Sequence, residues 1–159
     1  MPSWAAFEAD APDLAGAGRR LLVGPDGVAI GFLASVGAAR APHLSPVCPV
    51  FCGRHVYVIA GARTPKARDL GLRGGYALHA FLGANDEEFQ IAGRASEVRA
   101  VDERAAVHEA VPFAAFGRDD PIFRLDVERA LWVSWERVGK PDTRAVRRRW
   151  PRPAGADSR

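Results

Sequence analysis

Cysteine and lysine are both scarce in this 159-residue chain, at two residues each, while arginine is plentiful. Cys48 and Cys52 cannot build a disulfide framework, and their Cys-x3-Cys spacing lacks the second ligand pair of a structural zinc site. They read as small apolar residues beside a strand. No stretch approaches the roughly 18 apolar residues of a membrane span, and no basic segment leads into an apolar run. No membrane association is expected, and the expected compartment is the cytoplasm. No histidine pair has metal-ligand spacing, so no metal site is expected, and no nucleophile elbow is present. Glu87 and Glu88 are neighbours at a strand start, where adjacent side chains face opposite ways, so paired acid–base work is not expected of them. The sequence singles out no catalytic residue.

What is present is an ordinary globular composition, 48% hydrophobic and 26% charged, long enough for one core without staples. The net charge of +3 is unevenly placed. From Gly139 onward seven basic residues, Arg147 to Arg149 among them, face only Asp142 and Asp157, which leaves the rest of the chain slightly acidic. With prolines and no aromatic ladder for base stacking, 139–159 reads as a flexible basic tail on a single domain over 1–138. Specific nucleic-acid binding is not expected.

Residues 3–23 predict one helix or two short ones. Val28, Ile30, Phe32, Ala34 and Val36 share one face at period two, with Leu33 on the other, which predicts a strand partly buried on both faces. Pro42 to Phe51 predicts an edge or irregular strand, because Pro42, Pro46 and Pro49 donate nothing to a ladder. With Val56–Ile59 it predicts a hairpin over 42–61 that turns at Cys52–Arg54. Thr64 and Pro65 suit the cap and first position of a short helix, and Gly74 suits its end. Strands over 76–82 and 87–98 follow, then a helix from an Asp102 cap to about Val111, then a strand over 122–135. The sum is an α+β barrel of about six mainly antiparallel strands with short helices at the crossings.

Chemistry concentrates in Thr64-Pro65-Lys66-Ala67-Arg68-Asp69-Leu70. A hydroxyl and a lysine two apart at a helix start combine free backbone N–H groups, the positive end of the helix dipole and a mobile cation. That is an anion site suited to a phosphate, with Arg68 as a second cation and Asp69 able to orient it. The same residues also suit a capped surface helix with a solvated lysine–arginine pair.

The order of elements adds to this reading. Gly31-Phe32-Leu33-Ala34-Ser35-Val36, then Pro42-His43-Leu44-Ser45-Pro46-Val47, Val56-Tyr57-Val58-Ile59, the Thr64–Leu70 segment and Tyr76-Ala77-Leu78-His79 together resemble the pyridoxamine 5'-phosphate oxidase-like, FMN-binding split-barrel family over roughly residues 4–136. The resemblance implies a split β-barrel in which Thr64 and Lys66 bind the cofactor phosphate, helped by Arg68. It implies that Ser45, Pro46, Val47 and Cys48, with Val58 and Ile59, flank the ring system with backbone groups. It also implies a homodimer with the cofactor at the subunit interface, consistent with Trp132 and Trp135 read as exposed, and an oxidoreductase acting on an undetermined small molecule.

Where the family often has Asp-Pro-Arg, this chain has Arg73-Gly74-Gly75, and the arginine–histidine substrate pattern of true pyridoxamine-phosphate oxidases is not recognisable. Vitamin B6 oxidation itself is therefore not expected. His43 leads into the ring pocket as a donor to flavin or substrate, or serves as a hydrogen-bonded structural histidine. His79 reads as a barrel-wall residue. Two alternatives stay open: a factor-420 deazaflavin on the same Thr64–Lys66 anchor, and a non-enzymatic protein that holds haem or flavin.

Overall fold

The computed structural model describes residues 2–113 and 116–151. Two helices open the chain, α1 (Trp4–Asp10) and α2 (Pro12–Leu22). The Ser3 hydroxyl accepts the Ala6 N–H at 3.1 Å, and Pro12 starts α2 where its missing N–H costs nothing. Eight antiparallel strands follow: β1 (Gly31–Val36), β2 (Pro42–Val47), β3 (Val50–Cys52), β4 (His55–Ile59), β5 (Gly75–Ala80), β6 (Glu88–Glu97), β7 (Ile122–Glu136) and β8 (Arg144–Trp150). Helix α3 (Pro65–Arg73) joins β4 to β5, and α4 (Val101–Ala110) joins β6 to β7.

All strands form one curled sheet in the order β2-β1-β5-β6-β7-β4-β3, with β8 paired to β7. The edge strands β2 and β3 are consecutive in the chain. The backbone therefore steps between opposite edges through Cys48 and Pro49, and the curled sheet is split there. β7 is long enough to serve two neighbours on one side: residues 122–125 pair with β4 and residues 130–136 with β8. Its ladder with β6 shifts at Ala92/Gly93. A Cβ at Gly93 would sit 2.0 Å from the Asp126 carbonyl oxygen, so only glycine lets the two backbones come this close.

The concave side carries the main core. Leu33, Val58, Leu78, Phe89, Ile91 and Phe123 pack against Trp4, Phe7 and Leu14 of the helices. Trp4 is the hinge of this packing, edge-on to Phe7 at 5.3 Å and to Phe51 at 5.0 Å. A second cluster around Tyr57, Ile59, Val107 and Ile122 includes the buried side of α4.

Several expectations are corrected. The buried face of β1 is Gly31, Leu33 and Ser35, whereas Phe32 and Ala34 are half-buried and Ile30 and Val36 exposed. Period two fixed the strand, but not which of two apolar faces the helices would cover. β2 does lie at an edge, as its prolines require, but it pairs with β1; the hairpin is the shorter β3–β4 pair turning at Gly53, and β3 and β8 raise the expected six strands to eight. Asp102 lies in the first turn of α4, where its charge suits the helix dipole, while Ala100 is the cap. The basic segment is not a free tail over 144–150, because these residues form β8; residues 152–159 lie outside the described residues.

β8 is held by its ladder and by Trp150, whose ring lies 5.1 Å from Phe7 and whose Nε1 donates to Asp10 at 2.5 Å. Ending the chain at Arg137 should therefore uncover Phe7 and leave the second half of β7 at an edge. Losing one well-packed tryptophan costs about 3–5 kcal/mol, so the melting temperature should fall by roughly 10 °C. A truncated chain that melts with the intact protein in a calorimetric scan would show that β8 contributes nothing.

Candidate functional site

Helix α3 is specified locally. Thr64 has extended backbone (φ −83°, ψ 150°), and its hydroxyl accepts the Ala67 N–H at 3.4 Å while donating to the Gly61 carbonyl at 2.8 Å. Pro65 occupies the first turn, and Gly74 ends the helix in the left-handed region (φ 69°). The helix buries Ala67, Asp69 and Leu70, and packs on β1, β2 and β6. Lys66 lies one turn before Asp69 and is half-exposed; Arg68 points to solvent. Among the described residues neither cation has a carboxylate within 4.0 Å.

Asp69 does something other than orient Arg68. Its side chain is fully buried, and one oxygen, Oδ2, receives the Ser35 hydroxyl at 2.9 Å and meets His43 Nδ1 at 2.6 Å. Oδ1 has no hydrogen-bond partner among the described residues. Burial works against ionising this carboxyl. The hydrogen bonds from His43 and Ser35, with the Arg68 cation nearby, outweigh it and hold the pKa below the usual aspartate value. Ser35 and His43 are directly opposed in the β1–β2 ladder, so a single carboxylate ties α3 to two strands. Gly37 makes room for the imidazole, because a Cβ there would lie 2.9 Å from His43 Cε1.

The expected ligand-flanking residues converge on the split. Val47 ends β2, and Cys48 begins the crossing to β3. Val50 of β3 opposes Tyr57, so Val58 and Ile59 continue past the end of β3 toward that crossing. Thr64 and Lys66 follow Ile59 by a few residues. The side chains of Val58 and Ile59 are wholly in the core, which leaves only their main chain to face a ligand; Ser45 and Cys48 are half-buried and Pro46 is exposed. His43 sits at the far end of β2, where it meets Asp69, the residue one helical turn after Lys66 in α3. His79 is half-buried on the outer face of the wall, opposite Phe32 and Gln90. His55 lies apart beside Tyr57, where burial and then the Arg124 cation hold its pKa below the usual histidine value.

Two clefts lie elsewhere. One of about 610 Å³ is lined mainly by apolar residues, including Leu22, Val28, Ile30, Phe81 and Leu82, with Arg20 at its rim. Ile30 directly precedes β1 and Phe81 directly follows β5, so this cleft lies where those two strands meet the end of α2. Another of about 390 Å³ lies between α2 and Trp132, over which Arg148 stacks at 4.7 Å. Neither was anticipated. The one local signal for the Asp69 cluster was polar Ser35 and His43 facing the same way on adjacent strands.

No protein-family profile matches the sequence, and no curated protein matches it. Solved structures do match. A haem-binding protein from Mycobacterium smegmatis superposes with a TM-score of 0.58 at 18% identity, covering 92% of this chain. This chain spans only 58% of the length of that protein. A putative pyridoxamine 5'-phosphate oxidase from Listeria innocua gives 0.54 at 16% identity, over 64% of this chain and 85% of the other. A pyridoxamine 5'-phosphate oxidase-related, FMN-binding protein from Nostoc punctiforme gives 0.53 at 11% identity, over 92% and 97%. At these identities the likeness is one of fold: the chain has the split-barrel fold of the pyridoxamine 5'-phosphate oxidase-like proteins.

The lowered pKa of Asp69 makes part of the stability depend on pH. The folded carboxyl stays ionised below the pKa it has in the unfolded chain, about 4, so its contribution is complete above that value and is lost as pH falls through the lower folded value. Asp69→Asn should cost about 1.5–3 kcal/mol at neutral pH, because a hydrogen-bonded charge is replaced by a neutral amide. It should also flatten the acid limb of the stability curve, with a remainder carried by Glu87, which Arg20 and Trp132 hold in the same direction. Urea denaturation of both proteins from pH 3 to 7 checks this, and parallel curves would refute it.

Proposed function

We propose that this chain binds FMN as a homodimer and acts as an oxidoreductase on a small molecule other than a vitamin B6 phosphate. The observation that carries the reading is the start of α3. The Thr64 cap, the N-terminal backbone N–H groups, Lys66 and Arg68 gather positive charge, and among the described residues neither cation has a carboxylate within 4.0 Å. This donor set fits a phosphate dianion. In this reading the backbone of Ser45–Cys48 and Val58–Ile59, which lead to and from the split, would border the ring system. The flavin, when bound, would supply the redox chemistry, and Lys66 and the helix start would hold its phosphate. A factor-420 deazaflavin would use the same anchor. No helix among the described residues is long and apolar enough to cross a membrane, and we place the activity in the cytoplasm.

The second subunit is supported by the outer face of the sheet. Ile30, Leu44 and Phe81 are 41%, 69% and 48% exposed, and Phe32 meets Phe81 edge-on at 4.8 Å. Sedimentation should give a dimer at micromolar concentration, with an interface above roughly 1,000 Å². Phe81→Asp should shift it toward the monomer; a wild-type monomer would overturn the proposal.

A second reading exchanges FMN for haem, favoured by the carboxylate-backed His43. The absorbance of the protein after titration with each cofactor separates the two. For the FMN reading, Lys66→Ala should weaken binding roughly tenfold to a hundredfold, the effect of losing one charge-assisted hydrogen bond, with the melting temperature unchanged. Equal FMN affinity in wild type and variant, measured by flavin fluorescence, would remove Lys66 from the anchor.

A further inference from the structure

The larger cleft, of about 610 Å³, is built from segments that have no part in the α3 site. Its walls are Leu21 and Leu22 at the end of α2, the loop 23–28, Ile30, and Phe81 to Gly83 after β5. The loop spends its polar groups on itself. The Gly24 and Gly27 N–H groups donate to the carbonyls of Val28 and Gly24 at 2.9 and 3.0 Å, and the Val28 N–H donates to the Asp26 carboxylate at 3.1 Å. At Gly83 a Cβ would lie 2.4 Å from Leu21 Cδ2, so α2 and the segment after β5 meet with no room for a side chain. The walls are therefore set before any ligand arrives. They also present apolar side chains to water: Leu82 is 59% exposed, and Phe81, with Phe32 at one edge, is 48% exposed.

The polar end of the cleft is Arg20. Its guanidinium forks onto Glu87 at 2.9 and 2.7 Å, and Glu87 is further held by Trp132 Nε1 at 2.7 Å. A guanidinium has five N–H groups and this fork uses two, while the Arg20 side chain stays 57% exposed. Its charge is already answered, because the Arg20 hydrogen bonds hold the Glu87 carboxyl below the usual glutamate pKa. The other charged group of the lining is Asp26, which is in no ion pair among the described residues. An anion is thus disfavoured, and the spare Arg20 donors suit a neutral oxygen. The open Phe81 ring suits a planar aromatic body. A twofold axis at the cleft would set hollow against hollow, so a second copy can border it and does not fill it.

We propose that this cleft binds an uncharged aromatic molecule of roughly two or three rings, the size its volume admits. The ligand body lies against Val28, Ile30, Phe81 and Leu82, and a carbonyl or hydroxyl oxygen accepts from Arg20. Glu87 makes the site selective for neutral ligands by cancelling the Arg20 charge, and Trp132 holds Glu87 in place. The site shares no residue with the proposed phosphate anchor and does not depend on which cofactor α3 takes.

The test is fluorescence titration with a pair of naphthalene dyes: Prodan, which is neutral and carries a ketone, and anilinonaphthalene sulfonate, which is an anion. Wild type should bind one Prodan per chain with blue-shifted emission, and the sulfonate roughly tenfold more weakly. Leu82→Glu, at an exposed position, should weaken Prodan roughly tenfold with the melting temperature unchanged. Arg20→Met should weaken it roughly threefold to tenfold, the loss of one hydrogen bond to a neutral acceptor. Glu87→Gln keeps an acceptor for Trp132 but leaves the Arg20 charge unanswered, so it should turn the preference toward the sulfonate. Leu72→Glu, which removes a comparably exposed leucine outside the lining, should bind as wild type. Prodan that does not bind wild type, or binds Leu82→Glu and wild type alike, refutes the site. A sulfonate that binds wild type as tightly as Prodan, or a preference that Glu87→Gln leaves unchanged, refutes the ligand class. Prodan binding that weakens as protein concentration is raised puts a second copy in the cleft and overturns the proposal.

Discussion

The side-chain carboxyl of Asp69 is a charge held away from water. Ionisation there is sustained only by donors, and the two it has come from different strands. Ser35 belongs to β1, and His43 belongs to β2, which has a single ladder neighbour and three prolines in and after it. Without the His43 bond, β2 would be tied to the rest of the sheet by the β1 ladder and side-chain packing alone. With it, α3 cannot rotate or slide without breaking a hydrogen bond to a buried charge, a cost of about 1.5–3 kcal/mol. The helix position also sets where Thr64 and Lys66 stand. The proposed anchor and the edge strand are thereby tied to the same oxygen.

How much of this was legible in the sequence follows from the range of each rule. The ends of α3 depend on single residues whose backbone or side-chain preferences act within four positions, and Thr64, Pro65 and Gly74 announced them. The edge status of β2 was equally local, because a proline that cannot donate excludes a central place. Which face of β1 turns inward was not local. Both faces carry apolar side chains, and the choice was made by where α1 and α2 pack and by what remains outside to be covered. Asp69 looked like a surface residue for the same reason: its partners lie 34 and 26 residues away, and nothing near it in sequence marks it as buried.

β8 shows the limit from the opposite side. Four arginines in seven residues suggest a solvated segment, and in isolation they would be one. Their spacing fits a strand all the same. Arg148 stacks on Trp132, Arg144 pairs with Glu136, and Arg147 and Arg149 stand opposite Val133 and Leu131 on the other face. Each guanidinium keeps its charge in water while its stem covers apolar surface. A strand that ends a sheet also benefits from such charge, because like-charged edges do not pair with one another. The arginines are thus accounted for by the edge they occupy, without a nucleic acid.

The contrast with Lys66 then carries weight. The only other lysine, Lys140, lies in the turn before β8, where its carbonyl oxygen accepts the Thr143 hydroxyl. Wherever this barrel needs a long cation over an aromatic ring or beside a surface carboxylate it uses arginine, whose planar fork suits both. Position 66 differs in what surrounds it. Asp69 sits one turn away on the same face, and a guanidinium there could fork onto that carboxylate and compete with His43. A compact ammonium at the helix start leaves the Asp69 bonds intact and stays available to a tetrahedral anion. Lysine at this one position is what the Asp69 lock and the proposed phosphate anchor, on the same helix turn, require of each other.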